Sequence, residues 1–264
     1  MNIIETSGLG KRYGRTWALR DCTLAIPGGH VVALVGPNGA GKTTLLSMAV
    51  GLTTPTTGKV SVVGGEPAGS PDALNRIAFV AQDAPLYTYL PAADMLHLAR
   101  NLNRRWDQRR AEIRLAALGI PLTRKVGKLS GGQKAQLALT VALARRPDLL
   151  VLDEPLATLD PLARHDFMES LMAAVAEDGI SVVLSSHVLA ELERVADYLI
   201  VLAHGQVQVA GEVEDLLASR PGRADLEEVV LGYLREPSAS ARPGPAGSAA
   251  ARHGTADHGP GAQA

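Results

Sequence analysis

The sequence predicts an α/β fold: a mainly parallel sheet as the core, an antiparallel β subdomain at the N-terminus, and an α-helical subdomain inserted into the chain. Three observations carry this. Short, continuously apolar runs, VVALV (31–35), LLVL (149–152) and VVL (182–184), read as strands covered on both faces, as in a parallel sheet. The stretch TWALRDCTLAI (16–26) partly alternates instead, as a strand with one solvated face does. From 85 to 127 the text becomes helical, with Pro91 and Pro121 as breaks.

The elements follow in order. Residues 1–30 read as short strands with turns, and VVALV as the first buried strand. TTLLSMAVGL (43–52) reads as a helix with Gly51 near its end. GKVSVVGGEP (58–67) and RIAFVAQ (76–82) read as strands. AADMLHLARNL and QRRAEIRLAALGI carry helical periodicity, and the inserted helical subdomain covers about 85–140. DLLVLDEP (148–155) is a buried strand, DFMESLMAAVAEDG (166–179) a helix ending at Gly179, and ISVVLSSH (180–187) another buried strand. LIVLAHGQVQVAG (199–211) reads as a hairpin turning at His204 and Gly205. Residues 236–264, rich in Pro, Gly, Ala and Ser, have little to bury and are expected to be disordered.

Composition narrows the function. The 264 residues suit one domain with a subdomain, 1–235, and 46% apolar content is ample for a core that, with 3% aromatics, must be aliphatic. A formal net charge of −1 argues against general nucleic-acid binding. A single cysteine, Cys22, excludes a disulfide framework and reads as a small buried hydrophobe. No signal peptide is evident and no apolar run approaches the roughly 20 residues a membrane span needs. The expectation is a cytoplasmic chain whose membrane role, if any, needs another polypeptide.

The chemistry lies where strands end. GPNGAGKTT (36–44) follows a strand and precedes a helix, the context that makes G-x-x-x-x-G-K-[ST] a phosphate loop and the core a P-loop NTPase. Gly39 and Gly41 let successive N–H groups wrap phosphate oxygens, Lys42 faces the β- and γ-phosphates, and Thr43 offers a hydroxyl to Mg²⁺. Asp153 and Glu154 end a buried strand, where two carboxylates are costly without a cation or a proton to handle. Asp153 is expected in the Mg²⁺ shell and Glu154 as the general base. Gln82 ends RIAFVA, where an amide could reach Mg²⁺ or the attacking water, and His187 ends ISVVLSS, where an imidazole could contact the γ-phosphate. Ligands of open α/β sheets bind beyond the carboxyl ends of strands, so the set converges.

A second glycine pair, Gly131 and Gly132, sits inside LSGGQ (129–133). Ser130 and Gln133 fit a capping box, S-x-x-[EQ], which accounts for those two residues and leaves the glycines unexplained.

In this order, these residues resemble the nucleotide-binding subunit of ABC transporters, over about 2–235, with likeness to the bacterial drug-exporter type in NRRWDQ (103–108) and ADLEEVVLGYLRE (224–236). The resemblance implies that Tyr13 stacks on adenine. It assigns Gly36, Pro37, Asn38, Gly39, Ala40, Gly41, Lys42, Thr43 and Thr44 to Walker A, Gln82 to the Q-loop, and Leu150 to Glu154 to Walker B. Ser130, Gly131, Gly132 and Gln133 belong to the signature, Asp160 to the D-loop, and His187 is the switch histidine. Departures are Lys134-Ala135-Gln136 after the signature and Pro91 where threonine is frequent, in the segment that faces the membrane partner in relatives.

The resemblance also implies ATP and Mg²⁺ as cofactors, and a second cassette whose signature covers the ATP held by Walker A of the first. A separate transmembrane permease would place the chain on the inner face of the membrane. The expected function is the ATPase motor of an exporter. The alternative is a soluble single-cassette ABC ATPase, for example in cofactor assembly.

Overall fold

The computed structural model describes residues 1–83, 85–186, 188–219 and 225–235. Two sheets and a helical layer make up the fold. The N-terminal sheet has order β2-β1-β4-β5 and is antiparallel: β1 (Asn2–Tyr13), β2 (Thr16–Pro27), β4 (Thr57–Val62) and β5 (Glu66–Pro67). The central sheet has order β10-β9-β3-β8-β7-β6: β3 (Val31–Val35), β6 (Ile77–Val80), β7 (Leu149–Asp153), β8 (Ser181–Ser185), β9 (Tyr198–Ala203) and β10 (Gln206–Glu212). All its neighbours pair in parallel except β9 and β10.

Side-chain alternation explains why the central strands read as unbroken apolar runs. In β3, Val31, Ala33 and Val35 enter one core, while Val32 and Leu34 enter another. In β7, Leu150 and Leu152 go one way and Leu149 and Val151 the other. Every second residue faces the opposite side, so a strand covered twice needs apolar residues throughout. One face packs against the N-terminal sheet and α1 (Lys42–Ala49). The other packs against α5 (Gly131–Ala144), α6 (Pro161–Asp178), α8 (Val213–Ala218) and α9 (Leu226–Arg235).

Helices α3 (Ala92–Leu102) and α4 (Gln108–Ala117) form a third core with one side of α5. Helix α5 is therefore shared: Leu139 and Leu143 face the sheet, and Leu137 and Ala144 face α3 and α4. Trp106 packs against this third core, its indole N–H donating to Gln108 Oε1 at 2.7 Å.

Most expected elements form, with three differences. Helix α6 begins at Pro161, not at 166. Asp160 at the N-cap with proline next is the signal that starts the helix earlier. It ends as expected, on Gly179 in the left-handed region (φ 63°). Helix α2 (Pro71–Arg76) was not expected; Ser70 caps it, accepting from Ala73 N–H at 3.2 Å. Short α7 (Leu189–Leu192) and α8 were also unread, because fewer than two turns carry no periodic signal. His204 and Gly205 do turn the β9–β10 hairpin, with φ of 51° and 73°, the two positive values a tight two-residue turn requires. Cys22 is buried, as expected. The expected disorder of 236–264 lies outside the described residues.

Candidate active site

Strand β3 delivers the chain into the phosphate loop at Gly36. A side chain here is impossible: a Cβ would sit 2.0 Å from the Leu202 carbonyl oxygen of the adjacent β9. Gly41 likewise has φ 105°, and its Cβ would meet the Ala18 carbonyl at 2.6 Å. Gly41 is also the N-cap of α1 and provides no capping side chain. The first N–H groups of α1 thus point into the loop, the arrangement that receives an anion.

The loop encloses a cleft of about 350 Å³ lined by Ala18, Asn38, Gly39, Ala40, Gly41, Lys42, Thr43, Thr44, Gln82 and Glu154. Lys42 is buried to 6% exposure. Its ammonium donates to Gly36 O at 2.8 Å and Pro37 O at 3.5 Å, and lies 3.4 Å from Glu154 Oε1. A buried lysine is stable only when partnered, and here its partners are carbonyls and a carboxylate around a hollow. The cradle of backbone donors, the buried cation and the volume fit a nucleotide polyphosphate.

Asp153 ends β7 and is 2% exposed. It accepts from Ser185 Oγ at 2.7 Å. Glu154 follows in the left-handed region (φ 49°), where a residue with a side chain is uncommon, and its N–H donates to the same Ser185 Oγ at 2.8 Å. Gln82 follows β6 by two residues and reaches the same cleft. Thr43 hydroxyl, Gln82 amide and Asp153 carboxylate are all hard oxygen donors. That donor set fits Mg²⁺, which takes one or two carboxylates and completes its shell with phosphate and water. Among the described residues, no group of three or more His, Cys, Asp or Glu could hold a metal ion.

Gly36, Pro37 and Asp153 do not line the cleft, and the other expected residues lie elsewhere. Tyr13 stands at the end of β1, 53% exposed, with Lys11 Nζ 5.3 Å from its ring centroid. Ser130 caps α5, and the capping box closes fully: Gln133 N–H to Ser130 Oγ at 3.1 Å and Ser130 N–H to Gln133 Oε1 at 3.1 Å. Asp160 caps α6, accepting from Ala163 N–H at 3.0 Å. None of these lines the cleft. His187 lies outside the described residues.

Gly132 has a reason within the chain that the sequence does not display. A Cβ there would meet Ala163 Cβ at 2.9 Å, so α5 and α6 approach closely at this point. Gly131 has none: a Cβ on it meets nothing within 4 Å. Two residues were missed outright. Ala18 lines the cleft and is too ordinary to be singled out. Ser185 stands directly beside Asp153 in the parallel register of β7 and β8, visible only once the strands are paired.

Comparison with known proteins agrees with this geometry. A sequence model described as ABC transporter matches residues 19–157. The chain is 36% identical over 233 residues to the Nod factor export ATP-binding protein I of Cupriavidus pinatubonensis, covering 86% of this chain and 71% of that protein. It is 37% identical over 218 residues to an Fe(3+) ions import ATP-binding protein of Pseudomonas fluorescens, covering 80% and 62%. Among solved structures, a dimeric post-hydrolysis ATP-binding cassette bound to ADP and Pi superposes with a TM-score of 0.70 at 26% identity, covering 80% of this chain and 99% of that one. A phosphate loop, an acidic strand end and LSGGQ in one P-loop fold, matched by relatives along most of its length, place this chain in the ABC transporter family as an ATP-binding cassette.

Proposed function

We propose that this chain is the ATP-hydrolysing motor of an exporter, residues 1–235 forming one cassette of a pair that drives a separate membrane permease from the inner face of the membrane. The observation that carries the reading is the single cleft holding Lys42, Thr43, Gln82 and Glu154, gathered from the ends of three parallel strands. The export direction is supported by the Nod factor exporter, which the chain follows over more of its length than the iron importer. No helix among the described residues is long and apolar enough to cross a membrane.

The chemistry follows from the cleft. The β- and γ-phosphate oxygens replace the Gly36 and Pro37 carbonyls as acceptors for Lys42, while the N–H groups of 39–44 wrap the phosphates. Thr43, Asp153 and Gln82 would hold Mg²⁺, which would neutralise charge on the phosphates. A water attacks the γ-phosphorus, its proton passes to Glu154, and the bond to the ADP oxygen breaks. General-base catalysis is worth about 10²–10⁴ in rate. Tyr13 stacks on adenine, and resemblance to the family assigns the γ-phosphate contact to His187. Ser130, Gly131, Gly132 and Gln133 of one copy, with Asp160, close over the ATP of the other.

Two variants test this. Lys42→Ala loses a charged hydrogen bond worth about 1.5–3 kcal/mol, so ATP affinity should fall roughly 10–100-fold in equilibrium binding. Unchanged affinity removes Lys42 from the site. Glu154→Gln should retain ATP while losing turnover; rapid hydrolysis in that variant rules Glu154 out as the base. Co-expressed with its permease, the same variant should stop cargo leaving the cell.

A further inference from the structure

We propose that Ser185 is the positioning residue of the acidic pair: one buried hydroxyl fixes both the metal-shell carboxylate Asp153 and the backbone of the general base Glu154. The inference rests on the roles proposed above for those two acids. Ser185 is fully buried, at 0% exposure, on the strand next to theirs. Its register partner is Asp153. A hydroxyl has one hydrogen, and that hydrogen goes to Asp153 Oδ1 at 2.7 Å. One lone pair of the same oxygen receives Glu154 N–H at 2.8 Å.

Both bonds do something a buried apolar residue cannot. The first holds the Asp153 carboxylate in one rotamer at the strand end, so that its orientation is set before a cation arrives. The second acts where β7 stops. Glu154 has φ 49°, a left-handed backbone that turns its side chain off the line of β7 and into the cleft beside Lys42. Such a conformation persists only when the surroundings hold it. With β7 ended, Glu154 N–H has left the ladder, and Ser185 Oγ gives it a partner. The hydroxyl therefore couples the direction of one acid to the backbone of the next. Groups that orient a metal-binding carboxylate typically change metal affinity or activity 10–100-fold when removed.

The test uses the full-length chain with Ser185→Ala and Ser185→Cys. Cysteine nearly preserves shape but its S–H is a weak donor, so it guards against a simple packing defect. The readouts are ATP affinity in EDTA, ATP affinity in Mg²⁺, the Mg²⁺ concentration giving half-maximal hydrolysis, and kcat against KM. Both variants should bind ATP in EDTA within about twofold of the parent, since the phosphate loop is untouched. Both should lose most of the affinity that Mg²⁺ adds, need roughly tenfold more Mg²⁺, and lose about tenfold or more in kcat with KM little changed. Asp153→Asn and Glu154→Gln run alongside. If those two abolish turnover while Ser185→Cys keeps the parent's Mg²⁺ dependence and kcat, the positioning role is wrong and the acid pair stands. If Glu154→Gln hydrolyses ATP normally, the acid-pair reading fails and this inference falls with it. Equal loss of ATP affinity in EDTA and in Mg²⁺ also overturns it, since that marks general damage to the cleft.

Discussion

The two glycines of the signature do different jobs. A Cβ on Gly132 collides with Ala163 Cβ, so Gly132→Ala must push α5 and α6 apart and should cost about 1–3 kcal/mol, the usual cost of overpacking. A Cβ on Gly131 meets open space, so Gly131→Ala should be neutral or should stabilise the isolated chain by up to about 1 kcal/mol. Urea unfolding of the two variants checks the contrast, and the reverse order would contradict it. Nothing within the described chain requires glycine at 131, and the function proposed above supplies a reason, an approaching phosphate. Cys22 gives a second residue-level prediction. Burial, the largest influence, pushes its thiol from 9.0 up to about 11. A raised value means the folded chain holds its proton longer, so this contribution is complete below pH 9 and is lost as pH rises through about 11. Cys22→Ala should flatten the alkaline side of the stability curve, measured as melting temperature against pH.

Between elements, Asp148 joins parts that are distant in sequence. It accepts from Arg76 Nε at 2.6 Å, where α2 meets β6, and from Arg105 Nη1 at 3.0 Å, in the link between α3 and α4. Burial works to raise its carboxyl, but the two guanidiniums outweigh it and hold the group below its ordinary 3.8. A lowered carboxylate stabilises the fold above its ordinary value, and that contribution is lost as pH falls through the lowered one. Asp148→Asn should therefore weaken the fold at neutral pH and blunt the acid-side loss, again read from melting temperature against pH. Such ties also mark the limit of what the sequence displays. Strands β3, β7 and β8 were legible because double burial leaves an unbroken apolar run. The cleft was legible because strand ends carry its chemistry in short, ordered motifs. The Gly132–Ala163 approach and the Ser185–Asp153 pair were not, since each joins residues about 30 apart that only helix packing or strand pairing brings together. The start of α6 was masked by a motif: Asp160 was read as part of the D-loop, and it also caps a helix.

At the scale of the whole molecule, the phosphate cleft and the signature helix face different requirements. The cleft has its lysine, its acid and its backbone donors, yet none of Ser130, Gly131, Gly132 or Gln133 lines it. On the function proposed above, the signature helix N-terminus, which does not line the chain's own phosphate cleft, receives its phosphate from a second copy. Two cassettes arranged head to tail would then give each ATP a Lys42 from one copy and a Ser130 from the other. The direct measurement is the mass of full-length Glu154→Gln in solution by light scattering, with and without ATP and Mg²⁺. The expected result is a monomer without nucleotide, a dimer with it, and a monomer again when Ser130→Arg is added, although that double variant still binds ATP. A Glu154→Gln chain that stays monomeric while saturated with ATP, or a Ser130→Arg double variant that dimerises unimpaired, would contradict it.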